Sequence, residues 1–311
     1  IVDSQGNRKE DIARKEPVHG ETVQLTIDAV IQKSIYNEFQ GDAGTGVAIH
    51  PQTGEVLSLV SSPSYDPNEF ILGLSSEAWI ALNENEKKPL LNRFTQRYTP
   101  GSTIKPITAA VGLKYGWDPY EQIEIAGKSW RRDASWGNYS ITRVKERQHV
   151  DLTDAIVYSD NIYFSQMAIH TGVKNFTNGM MMFGFDEVLP FEYGMPKSSL
   201  ANDGIKSDIQ LADTSYGQGE LLVTPLHLAL MYTPFVNKGS VPKPLLFRDD
   251  EPGLWKEQVI SEDQASKILA DLKRVVDVGT GSASRIDQLS LAGKTGTTEH
   301  KLSQNEKGKE T

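Results

Sequence analysis

Three short words of this chain must meet in space if they act together, and that requirement limits its fold more than any other feature. They are Ser102-Thr103-Ile104-Lys105, Ser159-Asp160-Asn161 and Lys294-Thr295-Gly296. A fold that satisfies them must bring the segments around residues 100, 160 and 295 side by side. At average residue frequencies such a chain holds roughly one Ser-x-x-Lys, about one Ser-x-Asn and only about 0.07 Lys-Thr-Gly, and the ordered set arises in about 1% of chains. Ser303-Gln304-Asn305 is a second Ser-x-Asn that fits no such order.

The rest of the sequence predicts a scaffold for that meeting. Residues 1–22 are charged and turn-rich (Asp3, Gly6-Asn7, Lys9-Glu10-Asp11) and read as a linker or the remnant of a preceding region, while residues 23–311 form one domain. Thr26-Ile27-Asp28 leads into a helix with an apolar stripe of Ile27, Val30, Ile31, Ile35 and Phe39, ended by Gly41. A hairpin follows: strands at 46–50 and 55–60 around the turn Pro51-Gln52-Thr53-Gly54. Residues 63–240 read as mostly helical. Ser261 and Gln264 make a capping-box pattern ahead of a stripe of Ala265, Ile268, Leu269, Leu272, Val275 and Val276. Leu289 to Gly296 alternates as a strand does. Strands at both ends with helices between predict an α+β fold, an antiparallel sheet carrying an inserted helical subdomain.

Composition excludes several classes of function. The chain has 311 residues, a net charge of -9 and no basic run, so nucleic acid is not an expected partner. It has no cysteine, which removes thiolate catalysis and disulfides. Its histidines show no metal-ligating spacing, and neither a metal nor a cofactor is expected. No apolar run is long enough to span a bilayer.

The three words carry a chemistry of their own. Tyr98-Thr99-Pro100-Gly101 is a turn, and Ile104, Ile107 and Val111 describe a helix starting near Ser102. Lys105 then lies one turn away on the same face, within reach of the serine proton. To act as a base near neutral pH its pKa must fall from about 10.4 to about 7–8, a differential stabilisation of roughly 4 kcal/mol. Burial, a helix N-terminus and a second cation, Lys294, all push it that way. Ser159 and Asn161 sit on a connection between helical stretches, where a hydroxyl can relay a proton and an amide can hold a peptide carbonyl. Gly296 leaves room for a substrate peptide added as an extra strand, its carboxylate held by Lys294 and nearby hydroxyls. Taken alone, Ser102 and Ser159 or Asp160 would be helix caps.

These residues, in this order, resemble the penicillin-binding protein and serine β-lactamase superfamily. Gln24-Leu25-Thr26-Ile27-Asp28, Ser135-Trp136-Gly137-Asn138-Tyr139, Ser159-Asp160-Asn161-Ile162-Tyr163-Phe164 and Tyr216-Gly217-Gln218-Gly219-Glu220 with Thr224-Pro225 look like class B penicillin-binding proteins. The likeness is greatest to the low-affinity branch typified by the methicillin-resistance transpeptidase. It implies a β-lactamase/transpeptidase-like fold and D,D-transpeptidation of peptidoglycan stem peptides. Ser102 would be the nucleophile, Lys105 its base and Ser159 the relay to the departing D-alanine. Asn161 would hold the donor's amide, the backbone amides of Ser102 and Thr297 would form an oxyanion hole, and Lys294, Thr295 and Thr297 would hold the substrate carboxylate beside Gly296. Tyr139 and Glu299 would line the groove. β-Lactams would acylate Ser102, a glycosyltransferase and the cell-wall synthesis machinery would be partners, and the domain would work at the outer face of the cytoplasmic membrane, anchored by a segment outside this chain.

Other readings are weaker. No Glu-x-x-x-Asn lies between residues 161 and 294, which disfavours a class A β-lactamase. Gly293-Lys294-Thr295 has Gln288 where a phosphate-binding loop needs glycine. A D,D-carboxypeptidase and a non-catalytic peptide-binding scaffold stay open. The family resemblance also implies two more strands and a closing helix after Lys-Thr-Gly, whereas Thr297 to Thr311 is polar and loop-like; the expectation is a fragment whose C-terminal strands are missing from this chain.

Overall fold

A computed structural model of the protein describes residues 18–298 continuously, with residues 3–5, 7, 9 and 16 ahead of them. Asp28 caps helix α1 (Ala29–Glu38), its carboxylate accepting from the Val30 and Ile31 amides at 2.8 and 3.0 Å. The strands β1 (Gly44–Ile49) and β2 (Val56–Ser62) pair antiparallel from Gly44 opposite Ser62 to Ala48 opposite Ser58, then slip at Ile49. The predicted hairpin is therefore present. The predicted apolar stripe of α1 is only partly used, since Val30 is 78% exposed and Ile31, Ile35 and Phe39 are half-buried. This helix rests one side on the hairpin, where Ile35 and Phe39 pack over Gly46 and Gly44 of β1, and Val30 points away from that contact.

The middle of the chain is helical, as its polar-apolar pattern predicts. Helices α2 (Pro67–Leu72), α3 (Ser76–Glu84) and α4 (Lys105–Lys114) lead to four two-residue strands, β3 (Ile123–Glu124), β4 (Ser129–Trp130), β5 (Ile141–Thr142) and β6 (His149–Val150). These pair as β3 with β6 and β4 with β5, making a small clip beside the helices. Then come α5 (Leu152–Val157), α6 (Asn161–Thr171), α7 (Val173–Met182), α8 (Asp208–Ser215) and α9 (Pro225–Tyr232), a short β7 (Val241–Pro242) with β8 (Leu254–Lys256), and α10 (Glu262–Val278).

Helix α4 is the centre of the core. Every residue from Lys105 to Leu113 is buried, as for a helix surrounded by protein on all sides. It is enclosed by α6, α7 and α10, and glycines allow the closest approaches: a Cβ on Gly112 would lie 2.3 Å from Met167 Sδ. Helix α10 starts at the predicted capping box, Ser261 Oγ accepting from Gln264 N at 3.2 Å and Gln264 Oε1 from Ser261 N at 3.3 Å. Its stripe of Ala265, Ile268, Leu272, Val275 and Val276 is buried against the core.

One element departs from the sequence pattern. Leu289 to Gly296 forms no strand; it runs as irregular and extended chain with no sheet partner among the described residues. Alternation predicts which way side chains point, but a strand also needs a neighbour to take its N–H and C=O groups. Lys294 and Val47 of β1 line one open cavity of about 270 Å³ with Thr103, Leu228 and Tyr232, so the two extended segments face each other across a gap.

Candidate active site

Ser102 stands on a 3-10 turn, Gly101–Ile104, that feeds directly into α4. The α-helix proper begins at Lys105, three residues later than the apolar spacing suggests, because the Lys105 amide bonds back to Ser102 O. This turn is fixed from outside: Gly101 N donates to Gly217 O at 2.9 Å, and the Tyr232 hydroxyl donates to Thr103 O at 2.6 Å. Both glycines have positive φ, +54° and +86°, and a Cβ on Gly217 would lie 2.0 Å from Gly101 O. Gly217→Ala is thus expected to destabilise the protein by at least about 1–2 kcal/mol through its backbone alone. A thermal melt checks this; an unchanged midpoint would disprove the close approach.

Lys105 is fully buried, with Nζ 2.6 Å from Asn161 Oδ1, 2.7 Å from Ser159 O and 3.0 Å from Ser159 Oγ. Burial drives its pKa well below that of an ordinary lysine, and the charge of Lys294 adds to the effect while Asp160 opposes it. A neutral amine has two N–H donors and one lone pair. The two shortest contacts can use the donors, which leaves the lone pair to accept a proton.

Ser159 occupies the corner between α5 and α6 with φ +59°, a left-handed conformation held by the bonds of its neighbours. The Asp160 amide donates to Ala155 O at 2.9 Å, and Asp160 Oδ1 caps α6 through the Ile162 and Tyr163 amides at 2.9 and 3.1 Å. Thus Ser159 turns both its carbonyl and its hydroxyl toward Lys105. Asn161 opens α6; its Oδ1 faces Lys105 and its Nδ2 donates to Thr142 O at 2.9 Å, with one further N–H available for a ligand.

The third word reaches the same point. Lys294 Nζ donates to Ser159 Oγ at 2.9 Å, so one hydroxyl lies between two lysine nitrogens. Burial pushes the Lys294 pKa down to about 8. Its segment is tied to α10 and the residues after it: Gly293 N donates to Leu272 O at 3.2 Å, and Thr295 Oγ1 to Thr280 Oγ1 at 2.7 Å. Gly296 passes close over the serine turn, where a Cβ would stand 2.7 Å from Thr103 Cγ2. Thr297 O packs against Gly101. Among the described residues no hydrogen bond engages the Ser102 hydroxyl, the Ser102 amide or the Thr297 amide.

Two expectations remain, Tyr139 and Glu299. Tyr139 is joined to a carboxylate: its hydroxyl and that of Tyr216 both donate to Asp213 Oδ1, the latter at 2.5 Å. Burial, then the Asp213 carboxylate, raises the pKa of both phenols, so each stays a donor at any physiological pH. Glu299 lies outside the described residues. Sequence reasoning missed Arg143, Asp213, Thr142 and Thr280. Their roles are set by what lies beside them in space, and no spacing in the sequence marks them.

The fold brings Lys105, Ser159 and Lys294 together beside the turn that carries Ser102, and comparison with known proteins gives its family. The family model described as the penicillin binding protein transpeptidase domain matches residues 44–311. The chain therefore belongs to the penicillin-binding protein transpeptidase family, as a class B member. It is 48% identical over 304 residues to penicillin-binding protein 3 of Bacillus subtilis, covering 96% of this chain and 46% of that protein. It is 33% identical over 332 residues to the peptidoglycan D,D-transpeptidase MrdA of Acinetobacter baumannii, covering 96% of this chain and 48% of that one. The structure of penicillin-binding protein A from M. tuberculosis, a ceftriaxone acyl-enzyme complex, superposes with a TM-score of 0.81 at 29% identity, over 90% of this chain and 67% of the other. The chain thus spans about half the length of these curated relatives, and its fold is the β-lactamase/transpeptidase type, α+β with an inserted helical region.

Proposed function

We propose that this chain carries the catalytic unit of a serine D,D-transpeptidase that crosslinks peptidoglycan stem peptides, with residues 23–311 as that unit and residues 1–22 as a linker. The observation that carries this reading is the Ser159 hydroxyl held between a desolvated Lys105 and Lys294, one turn from an uncommitted Ser102. Relatives named as peptidoglycan D,D-transpeptidases and neighbours solved as β-lactam acyl-enzymes support it.

In the proposed acylation Ser102 Oγ attacks the carbonyl of the penultimate D-alanine and gives its proton to Lys105. The Oγ–C bond forms and the C–N bond to the terminal D-alanine breaks. Ser159 delivers its proton to that departing amine and takes in exchange the one Lys105 accepted, its own oxygen being held by Lys294. The Ser102 and Thr297 amides face the developing oxyanion, each such donor being worth about 10²–10³ in rate. Lys294, Thr295 and Thr297 hold the substrate carboxylate beside Gly296, and the second Nδ2 hydrogen of Asn161 serves the donor's amide. Tyr139 and Glu299 flank the groove. An acceptor amine then attacks the ester, forms the new amide and frees Ser102. A β-lactam follows the first half, its ring C–N bond breaking while the nitrogen stays attached. The unit works outside the cytoplasmic membrane, alongside a glycosyltransferase; no helix among the described residues is long and apolar enough to cross a membrane. The likeness to the methicillin-resistance branch rests on the residues quoted above.

Labelled penicillin tests the proposal. The expected result is one covalent adduct per chain, on the peptide that contains Ser102. Its rate should rise with pH as Lys105 loses its proton and fall above about pH 8 as Lys294 loses the charge that holds the carboxylate. A folded protein that forms no adduct would point to a peptide-binding scaffold instead.

A further inference from the structure

The guanidinium of Arg143 is completely inaccessible to solvent, and every one of its nitrogens is used. Its Nε donates to Gly127 O at 3.0 Å. One terminal nitrogen meets Asp160 Oδ2 at 2.7 Å, and the other donates to Ile125, Gly127 and Arg147 carbonyls at 2.9, 2.8 and 2.8 Å. Three carbonyls of the β3–β6 clip thereby hold one fork of the side chain so that the other fork grips Asp160. The neighbouring residue completes the grip, because Thr142 O takes the Asn161 amide. Two adjacent residues at β5 therefore hold two adjacent residues at the α5–α6 corner, just after the left-handed Ser159.

We propose that Arg143 is a positioning residue for proton transfer: it fixes the Ser159–Asn161 corner against Lys105 and neutralises Asp160, the carboxylate of that same corner. The inference rests on the transpeptidase reading above. All three contacts of Lys105 Nζ come from this corner, on Ser159 and Asn161. Among the described residues the charged groups acting on Lys105 are Lys294 and Asp160, and the Phe164 ring centre lies 5.7 Å from its amine. Asp160 favours the protonated amine and Lys294 disfavours it. Without Arg143 the Asp160 charge would act on Lys105 uncompensated, and the amine would hold its proton to higher pH. A pair this deeply buried adds little net stability, since desolvation consumes much of what the attraction supplies.

The experiment measures acylation by labelled penicillin against pH in the wild type, Arg143→Met, Arg143→Lys, Asp160→Asn and the Arg143→Met/Asp160→Asn double variant, with a thermal melt of each. Arg143→Met is expected to lower the rate at pH 7 by about 10²-fold through misplacement of the corner, and to move the acidic limb of the profile to higher pH. Arg143→Lys keeps the charge but loses the fork, so its rate falls with the limb unmoved. Asp160→Asn retains a good cap and moves the limb to lower pH; this variant decides the electrostatic part even if Arg143→Met does not fold. The double variant returns the limb toward the wild-type position while the rate stays low. A folded Arg143→Met that acylates at the wild-type rate, or single variants whose limbs all coincide with the wild type, would overturn the inference. Absence of labelling in the wild type would instead overturn the transpeptidase reading.

Discussion

Replacing Ser102 by alanine is expected to abolish covalent labelling by penicillin while leaving the fold intact. The two halves of that statement have separate causes. Acylation needs an uncommitted oxygen at this position, beside the Ser102 and Thr297 amides, which are free of partners among the described residues. Thr103, one residue on, donates to Pro100 O at 2.7 Å and is committed. Ser159 lies across the site between two lysines and has the relay position, without the free amides beside it. Stability, by contrast, draws nothing from the Ser102 hydroxyl, which has no hydrogen-bond partner among the described residues and is half-exposed. The loss should therefore reach about 10⁶-fold, the scale on which a missing nucleophile is felt, with a melting midpoint within a degree or two of the wild type, as for a surface change. Mass spectrometry of the intact protein after incubation reads the first and a melt reads the second. An adduct at wild-type rate in Ser102→Ala would assign the nucleophile elsewhere, with Ser159 the first place to look.

The sequence made some parts of this site readable and hid others for physical reasons. Ser102, Lys105, Ser159, Asn161 and Lys294 were legible because proton transfer restricts residue type, and a helix turn fixes the Ser102 to Lys105 spacing. The convergence of Lys294 on Ser159 rests on order alone in the sequence, and the structure gives it as a 2.9 Å hydrogen bond. Caps were legible as well: Asp28 and Ser261 act within three residues of themselves. The strand at Leu289 to Gly296 was misread because alternation is local, whereas pairing depends on a partner that the described residues do not supply. The stripe of α1 was over-read for the same reason, since Val30 has the right spacing but stays 78% exposed. Arg143 and Asp213 were invisible because an arginine or aspartate looks solvated until its surroundings are known. What identifies them is burial, and burial is a property of the assembled fold.

Lys105→Met is the second large effect, and it separates the chemical role of this side chain from its structural one. Methionine has nearly the same length and shape, so the volume inside α4 is kept and the packing cost is small. Two acceptors lose their donor, Asn161 Oδ1 and Ser159 O, each an unsatisfied group costing about 1–3 kcal/mol where water cannot enter. Against this, the wild type carries a buried amine next to Lys294, and both pKa values lie below that of an ordinary lysine. The unfolded chain therefore binds more protons than the folded one below the ordinary lysine pKa, so wild-type stability falls as pH drops from about 10.5 toward about 8, the Lys294 value. Lys105 continues that loss to lower pH, because its folded pKa is well below the ordinary value. Lys105→Met removes its share of this slope, and its stability relative to the wild type should improve steadily from pH 10 to pH 7. Acylation should show the reverse. Loss of a positioned base lowers the rate by about 10²–10⁴-fold, and the acidic limb set by Lys105 disappears from the profile. Melts and labelling rates measured on the same samples across that pH range decide the matter. If Lys105→Met kept the acidic limb, the base would be another group, and if its stability ran parallel to the wild type, Lys105 would not be the desolvated amine the structure describes.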